Sequence, residues 1–271
     1  MRRLDAELVA RGLVRSRAEA QRAIDEGRVL VDGIPALKAA RTVTTQISIK
    51  VTESEASYVS RGAYKLLGAL DVFGIDLSGQ LVLDAGASTG GFTQVALERG
   101  ASGVIAVDVG YGQLAWSLRS DPRVTVLERT NIRNLLPADI AQLADTVVAD
   151  LSFISLSTVL PALTSLVKQS GQMILMVKPQ FEAGRELVTA THGVIKDPHI
   201  RVEAIEKVAE TAISLGWAVS GVAASPLPGP KGNVEYFLWL THTFVDTALP
   251  ALENRQQLAE HIRQVVAEGP Q

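Results

Sequence analysis

Apolar positions in the first fifty residues recur at helical spacing twice and then alternate. Leu4, Leu8 and Val9 share one face of a helix that stops at Gly12, and Ser16-Arg-Ala-Glu19 is a capping-box pattern opening a second helix that runs to Glu26, with Gly27 as its stop. Arg28-Val-Leu-Val31, the turn pair Asp32-Gly33, Ile34-Pro-Ala-Leu37 and the alternating Ile47-Ser-Ile-Lys-Val51 read as short strands. Residues 54–62 lack periodicity and read as a linker, after which Ala63–Leu70 is helical. From there apolar runs at 81–83, 104–107, 124–127, 146–149 and 173–177 alternate with helical patterns, which predicts a parallel sheet covered on both faces. Two late runs, Ala218–Ala223 and Glu235–Leu240, are separated by Ser225-Pro-Leu-Pro-Gly-Pro-Lys-Gly232. That connection is too short for a helical crossover, so this pair is predicted to be antiparallel. The fold class is therefore α/β, parallel with a terminal antiparallel hairpin, preceded by a small α+β domain. The boundaries are 1–53, a linker at 54–62, a main domain at 63–244 and a helical tail at 245–271, with an amphipathic stretch at Leu258–Val266.

Composition changes the picture in three places. The net charge of −3 is unevenly spread: residues 1–53 carry ten Lys/Arg against seven Asp/Glu, and the remainder is −6. A basic small module on an acidic body suggests a polyanionic partner. The absence of cysteine rules out disulfides and thiolate metal sites. No apolar run approaches about 18 residues and the N-terminus lacks a signal-type apolar core, so a cytoplasmic protein without a membrane partner is expected.

The most informative stretch is Leu81-Val-Leu-Asp-Ala-Gly-Ala-Ser-Thr-Gly-Gly-Phe92. A strand, a glycine-rich turn and a helix start make a nucleotide pocket, because bare backbone admits close approach. A dinucleotide fingerprint is broken by Ser88, and no Gly-Lys-Ser/Thr marks a phosphate loop. An acid at the strand tip, Asp84, beside an open turn suits a cofactor with a positive centre and no phosphate, as in S-adenosylmethionine. Asp108 ends a second strand 24 residues on, where an acid can accept ribose hydroxyls. The plainer alternative is that both acids only cap strands. Asp84, Gly86, Ser88, Gly90 and Asp108 are the cofactor candidates, with Asn131 at the expected adenine edge or as an ordinary turn residue. Gly110-Tyr-Gly112 either shapes this pocket or turns the chain, and residues 182–197 form a polar loop that either closes over a substrate or connects elements.

Four charged residues stand near strand C-termini, where such sheets hold active sites. Asp150 follows Thr146-Val-Val-Ala, Lys178 follows Met173-Ile-Leu-Met-Val, Glu235 opens the last strand, and Lys65 sits on the helix before the first. A lysine after five apolar residues needs a partner, and a plain Lys178–Asp150 salt bridge would satisfy it. In order and context the four resemble the Lys-Asp-Lys-Glu tetrad of FtsJ-like RNA 2′-O-methyltransferases. Arg2-Leu-Asp, Arg11-Gly-Leu-Val-Arg-Ser-Arg-Ala-Glu-Ala and Gly27-Arg-Val-Leu-Val-Asp-Gly resemble the S-four RNA-binding domain, and the combination resembles the TlyA, or hemolysin A, family. Asp108-Val-Gly-Tyr-Gly-Gln-Leu-Ala-Trp116, Ala149-Asp-Leu-Ser-Phe-Ile-Ser155 and Val177-Lys-Pro-Gln-Phe-Glu182 extend the match along nearly the whole chain. The resemblance implies a Rossmann-like sheet, S-adenosylmethionine as cofactor, no metal, and 2′-O-methylation of cytidine in ribosomal RNA on 30S and/or 50S subunits, with no obligate protein partner. It implies Lys65, Asp150, Lys178 and Glu235 as catalytic residues, and Arg2, Arg3, Arg11, Arg15, Arg17, Arg22 and Arg28 on RNA phosphates; our own expectation is Lys178 as base, positioned by Asp150, with Lys65 and Glu235 holding the ribose. The alternative for the arginines is a solvated face. The alternative for the chain is an RNA- or ribosome-binding protein whose membrane-lytic or assembly role does not depend on methylation.

Overall fold

Successive strand residues face opposite sides of a sheet, so the continuous apolar runs above need cover on both faces. The computed structural model supplies it. The structure describes residues 2–25, 29–36, 38–44, 46–51, 58–229, 231–242 and 255–270; Glu26, Gly27, Arg28, Leu37, linker residues 54–57, Pro230 and tail residues 245–254 named above lie outside the described residues. The chain divides into two compact units, Met1–Ser57 and Tyr58–Gln271.

In the first unit the order is β1 (Arg2–Arg3), α1 (Leu4–Ala10), α2 (Arg17–Asp25), β2 (Val29–Val31), β3 (Ile34–Pro35), β4 (Thr42–Val43) and β5 (Ile49–Val51). Strand β2 lies between β3 and β5, antiparallel to both, and β1 pairs with β4. Leu4, Leu8, Ala20, Ile24, Val29, Val31 and Val43 close a core of their own. Ser16 caps α2: Glu19 N donates to Ser16 Oγ at 3.2 Å, while the Glu19 side chain reaches past the cap and its Oε2 accepts from Arg15 N at 2.8 Å. Strands β1 and β4 had no sequence signal, since two residues carry no period.

The second unit runs α3 (Gly62–Phe73), β6 (Leu81–Ala85), α4 (Gly91–Glu98), β7 (Gly103–Val107), α5 (Trp116–Arg119), β8 (Val124–Leu127), β9 (Ala144–Ala149), α6 (Leu156–Leu166) and β10 (Val167–Val177). It continues through α7 (Pro179–Glu182), α8 (Arg185–Ala190), α9 (Pro198–Ser214), β11 (Ala218–Ala224), β12 (Tyr236–Thr241) and α10 (Arg255–Glu268). Seven strands form one sheet in the order β11-β12-β10-β9-β6-β7-β8. The pairs from β10 to β8 are parallel, and β12 is antiparallel to both β10 and β11, as the short connection required. Strand β10 starts earlier than its apolar run, because Lys168–Gly171 is polar and the register with β9 shifts there.

Alternation divides the strands between two cores. Leu83, Val147, Ala149, Leu175 and Val177 face α6, α9 and α10, while Val82, Val148, Ile174 and Met176 face α3 and α4. Asp197 caps α9 by accepting from His199 N at 2.9 Å, with Pro198 at the first helical position. The tail helix α10 buries Leu258, Ile262 and Val266 in the first of these cores, so it is part of the second unit's packing. Ile262→Ala should therefore destabilise this unit by roughly 2–5 kcal/mol in chemical denaturation; a loss below about 0.5 kcal/mol, the range of a surface change, would mean α10 contributes little. No helix among the described residues is long and apolar enough to cross a membrane.

Candidate active site

The chain runs β6→β7→β8 towards one edge and then returns to place β9 on the other side of β6. That reversal opens a crevice at the C-terminal ends of β6 and β9, the usual ligand position in such sheets. Two cavities of about 360 and 460 Å³ meet there, sharing Gly86, Ser88, Asp150 and Ser152. Lys65 and Lys178 line the smaller; Asp108, Asn131, Ile132 and Phe153 line the larger.

The glycine turn is shaped by close contact. Gly86 has φ +87, and a Cβ there would stand 2.7 Å from the Asp150 carbonyl oxygen. Gly90 has φ +99, and a Cβ would meet Leu118 and Leu114; at Gly91 it would meet Ser60 and the Ala63 amide. Ser88 also takes positive φ, +47, a strained choice for a residue with a side chain. Its amide donates to Asp108 Oδ2 at 2.8 Å, and Gly110 N donates to Asp108 Oδ1 at 2.7 Å. Asp108 thus ties the turn after β6 to the exit of β7, and Gly110 belongs to that tie. Asn131 Oδ1 accepts from Arg133 N at 3.1 Å, so it caps a short turn while lining the larger cavity.

Asp84 is fully buried and lines neither cavity; Thr93 Oγ1 donates to its Oδ2 at 2.6 Å, and its Oδ1 has no hydrogen-bond partner. Burial, with the Asp150 charge adding, pushes its carboxyl up to about 7 against the opposing Thr93 hydrogen bonds. An ordinary carboxyl near 3.8 has already lost its proton where this one keeps it. Between those values the folded state binds more protons than the unfolded state, so this group's contribution to stability falls as pH rises, and levels off above the upper value. Asp84→Asn stays neutral, and its Tm relative to wild type should rise between about pH 5 and about pH 8. An offset that is the same at both pH values would show that Asp84 ionises normally.

The four charged residues converge as two ion pairs. Glu235 stands just before β12, whose antiparallel direction brings its start to the edge where β9 and β10 end. Lys65 Nζ lies 2.5 Å from Glu235 Oε2, and Lys178 Nζ lies 2.5 Å from Asp150 Oδ1 and donates to Ser152 Oγ at 3.0 Å. Glu235 is 1% exposed and each lysine 8%. Glu235 Oε1 has no hydrogen-bond partner among the described residues and stands against Gly229, where a Cβ would come within 2.5 Å. Sequence reasoning missed Ser60, Arg61 and Gly62, read as linker, which line the smaller cavity while Val59 N donates to Gln94 Oε1 at 2.9 Å. It also missed Ser152 and Phe153, although both fall within the Ala149–Ser155 motif. Phe153 takes φ +64, is 92% exposed, and its ring centroid lies 5.3 Å from that of Phe181. None of residues 182–197 lines either cavity; Asn233 fastens that loop through Gly193 O and Ile195 N, each at 2.8 Å.

In the first unit the arginines are held by acids. Arg3 and Arg17 pair with Asp5, and Arg2 and Arg11 with Glu7. Arg11 also donates to Ile47 O at 2.8 Å and Thr44 O at 3.2 Å, so it clamps the unit internally. Arg15 is exposed, while the Arg22 side chain and Arg28 lie outside the described residues.

The FtsJ-like methyltransferase family matches residues 58–242, and the S4 domain family matches residues 2–46. The chain is 55% identical over 270 residues to the 16S/23S rRNA (cytidine-2'-O)-methyltransferase TlyA of Mycobacterium tuberculosis, covering 99% of this chain and 98% of that one. It is 35% identical to Hemolysin A of Brachyspira hyodysenteriae over 86% of this chain and 97% of that one. A solved structure from Streptococcus thermophilus that carries a hemolysin name superposes with a TM-score of 0.73 at 36% identity, covering 98% of this chain and 94% of that one. With this match along its length, its Rossmann-like sheet and its N-terminal S4 domain, the chain belongs to the TlyA family of FtsJ-like methyltransferases.

Proposed function

We propose that this protein transfers a methyl group from S-adenosylmethionine to the ribose 2′-hydroxyl of cytidine in ribosomal RNA, on 30S and 50S subunits alike. The reading rests on the two buried ion pairs, Lys65–Glu235 and Lys178–Asp150, standing beside the glycine turn. The Mycobacterium tuberculosis relative, whose name covers both 16S and 23S rRNA, supports the substrate and both subunits.

The residues present fit the cofactor. Gly86, Ser88, Asp108 and Asn131 line the larger cavity, to which Asp108 offers a carboxylate, while buried Asp84, bonded to Thr93 of α4, supports the turn. Gly86, Ser88, Gly90, Asp108 and Asn131 would hold it, with Asp84 acting through the turn, and when bound it supplies an electrophilic methyl on a sulfonium. Asp108→Ala should weaken binding of S-adenosylmethionine by about tenfold or more in calorimetry, since hydrogen bonds to a charged group contribute ~1.5–3 kcal/mol; unchanged affinity would exclude Asp108 from the site.

On the nucleophile side, Lys178 would accept the 2′-hydroxyl proton when the ribose oxygen takes the methyl that the bound cofactor supplies. To accept that proton Lys178 must present a neutral amine, whose lone pair does the accepting; its Nζ donates to Ser152 Oγ, and the Asp150 carboxylate beside it offsets the charge of the ammonium that forms. Asp150 orients Lys178, and Lys65 with Glu235 holds the ribose. The test is transfer of labelled methyl to unmethylated 30S and 50S subunits, followed by nucleoside analysis. Label on a cytidine 2′-oxygen in both particles is expected. Label on a base, or on neither particle with cofactor binding intact, would overturn the reading.

A further inference from the structure

Two acids of the first unit are almost fully buried although their partners are not. Asp5 and Glu7 are 6% and 3% exposed, whereas the side chains of Arg3 and Arg17 are 53% and 60% exposed. Arg3 grips both oxygens of Asp5, Nε to Oδ1 at 3.2 Å and Nη2 to Oδ2 at 3.0 Å. Arg17, at the start of α2, reaches the same Oδ2 at 3.1 Å. The Ala6 amide donates to Oδ1 at 2.8 Å and keeps the carboxylate in place.

One carboxylate oxygen therefore gathers two guanidiniums from separate elements. The shared acid offsets their mutual repulsion and leaves the group with one net positive charge. Most of each guanidinium side chain still faces solvent. Long arginine side chains ordinarily lose rotamer freedom when they bind an anion, and prior fixation removes that cost. A phosphodiester, with one charge and two unesterified oxygens, matches a pair of planar donors of this kind.

We infer that Asp5 is a positioning residue for RNA binding, holding Arg3 and Arg17 as a preformed fork for one backbone phosphate. The inference rests on the ribosomal RNA reading above and adds to it a role for an acid in a polyanion-binding surface. It also fixes a sign. Asp5→Asn adds one positive charge, and simple Coulomb attraction would then strengthen RNA binding; loss of a fork weakens it.

The experiment uses the full-length protein and measures affinity for unmethylated 30S and 50S subunits across a salt series, with S-adenosylmethionine affinity and thermal melting alongside. Asp5→Asn should bind about tenfold more weakly, the equivalent of ~1.4 kcal/mol, with a salt slope shallower by about one and unchanged cofactor affinity. A second variant, Arg3→Lys with Arg17→Lys, keeps every charge but lacks the planar fork, and should lose affinity by a similar factor; it decides the matter if Asp5→Asn melts the unit. Wild-type affinity in the double lysine variant, or equal or tighter binding by a folded Asp5→Asn, would overturn the fork alone. Wild-type protein that binds neither particle would overturn both the fork and the ribosomal reading.

Discussion

Lys178→Ala should lower methyl transfer by about 10²–10⁴-fold, the usual contribution of a positioned base, while S-adenosylmethionine binds as in wild type. The expectation follows from where Lys178 stands. It leaves the end of β10 directly into the smaller cavity, nine-tenths buried, and is aimed by Asp150 and Ser152. The substitution removes an amine without touching the glycine turn or Asp108, so binding and chemistry separate. Lys178→Arg should not rescue the rate, because a guanidinium does not give up its proton in a protein. Single-turnover rates with saturating cofactor are the measurement. A rate within a few-fold of wild type, or loss of cofactor binding, would remove Lys178 from the role of base. Lys65→Ala is the informative partner: a residue that holds the ribose should affect RNA affinity as well as rate.

Gly86→Ala should impair both cofactor binding and turnover, with affinity falling at least about tenfold (~1.4 kcal/mol). Two effects act together. At φ +87 a side chain is strained whatever the space, and the new Cβ would stand 2.7 Å from the Asp150 carbonyl oxygen and 3.2 Å from its carbon. Backbone cannot swing aside as a side-chain end can, so the exit of β9 must shift and take Asp150, the partner of Lys178, with it. Gly112→Ala separates the two effects, since Gly112 also has positive φ, +69, but nothing lies within 4 Å of its Cβ position. Calorimetric titration of both variants with S-adenosylmethionine is the check. Equal losses would mean that backbone strain alone matters and that the approach to Asp150 is harmless.

Periodicity was enough to read the alternating strands and helices and hence the parallel sheet, because burial on one face or two leaves a local imprint at spacings of two and 3.6 residues; the antiparallel end was read from the short connection before the last strand. The glycine turn was equally legible: positive φ and close approach restrict residue type at Gly86 and Gly90 whatever the rest of the chain does. Asp150 and Lys178 stood out because charge after an apolar strand demands a partner, and the resemblance to FtsJ-like enzymes added Lys65 and Glu235. The Lys178–Asp150 pair was among the readings and forms; the partner of Lys65 was not legible. Lys65 meets Glu235 across 170 residues of chain, and that meeting depends on β12 running antiparallel and on strand order, neither of which marks the two residues themselves. The same holds for the surroundings of two other candidates: Asp84 is buried with Thr93, and Arg11 is bonded to Ile47 and Thr44. Ser60–Gly62 looked like linker because three residues carry no period, yet the packing of α3 on α4 brings them to the cavity. Local spacing encodes which faces are buried; crossovers and register decide which side chains then meet, and the chemistry of the site depends on those meetings.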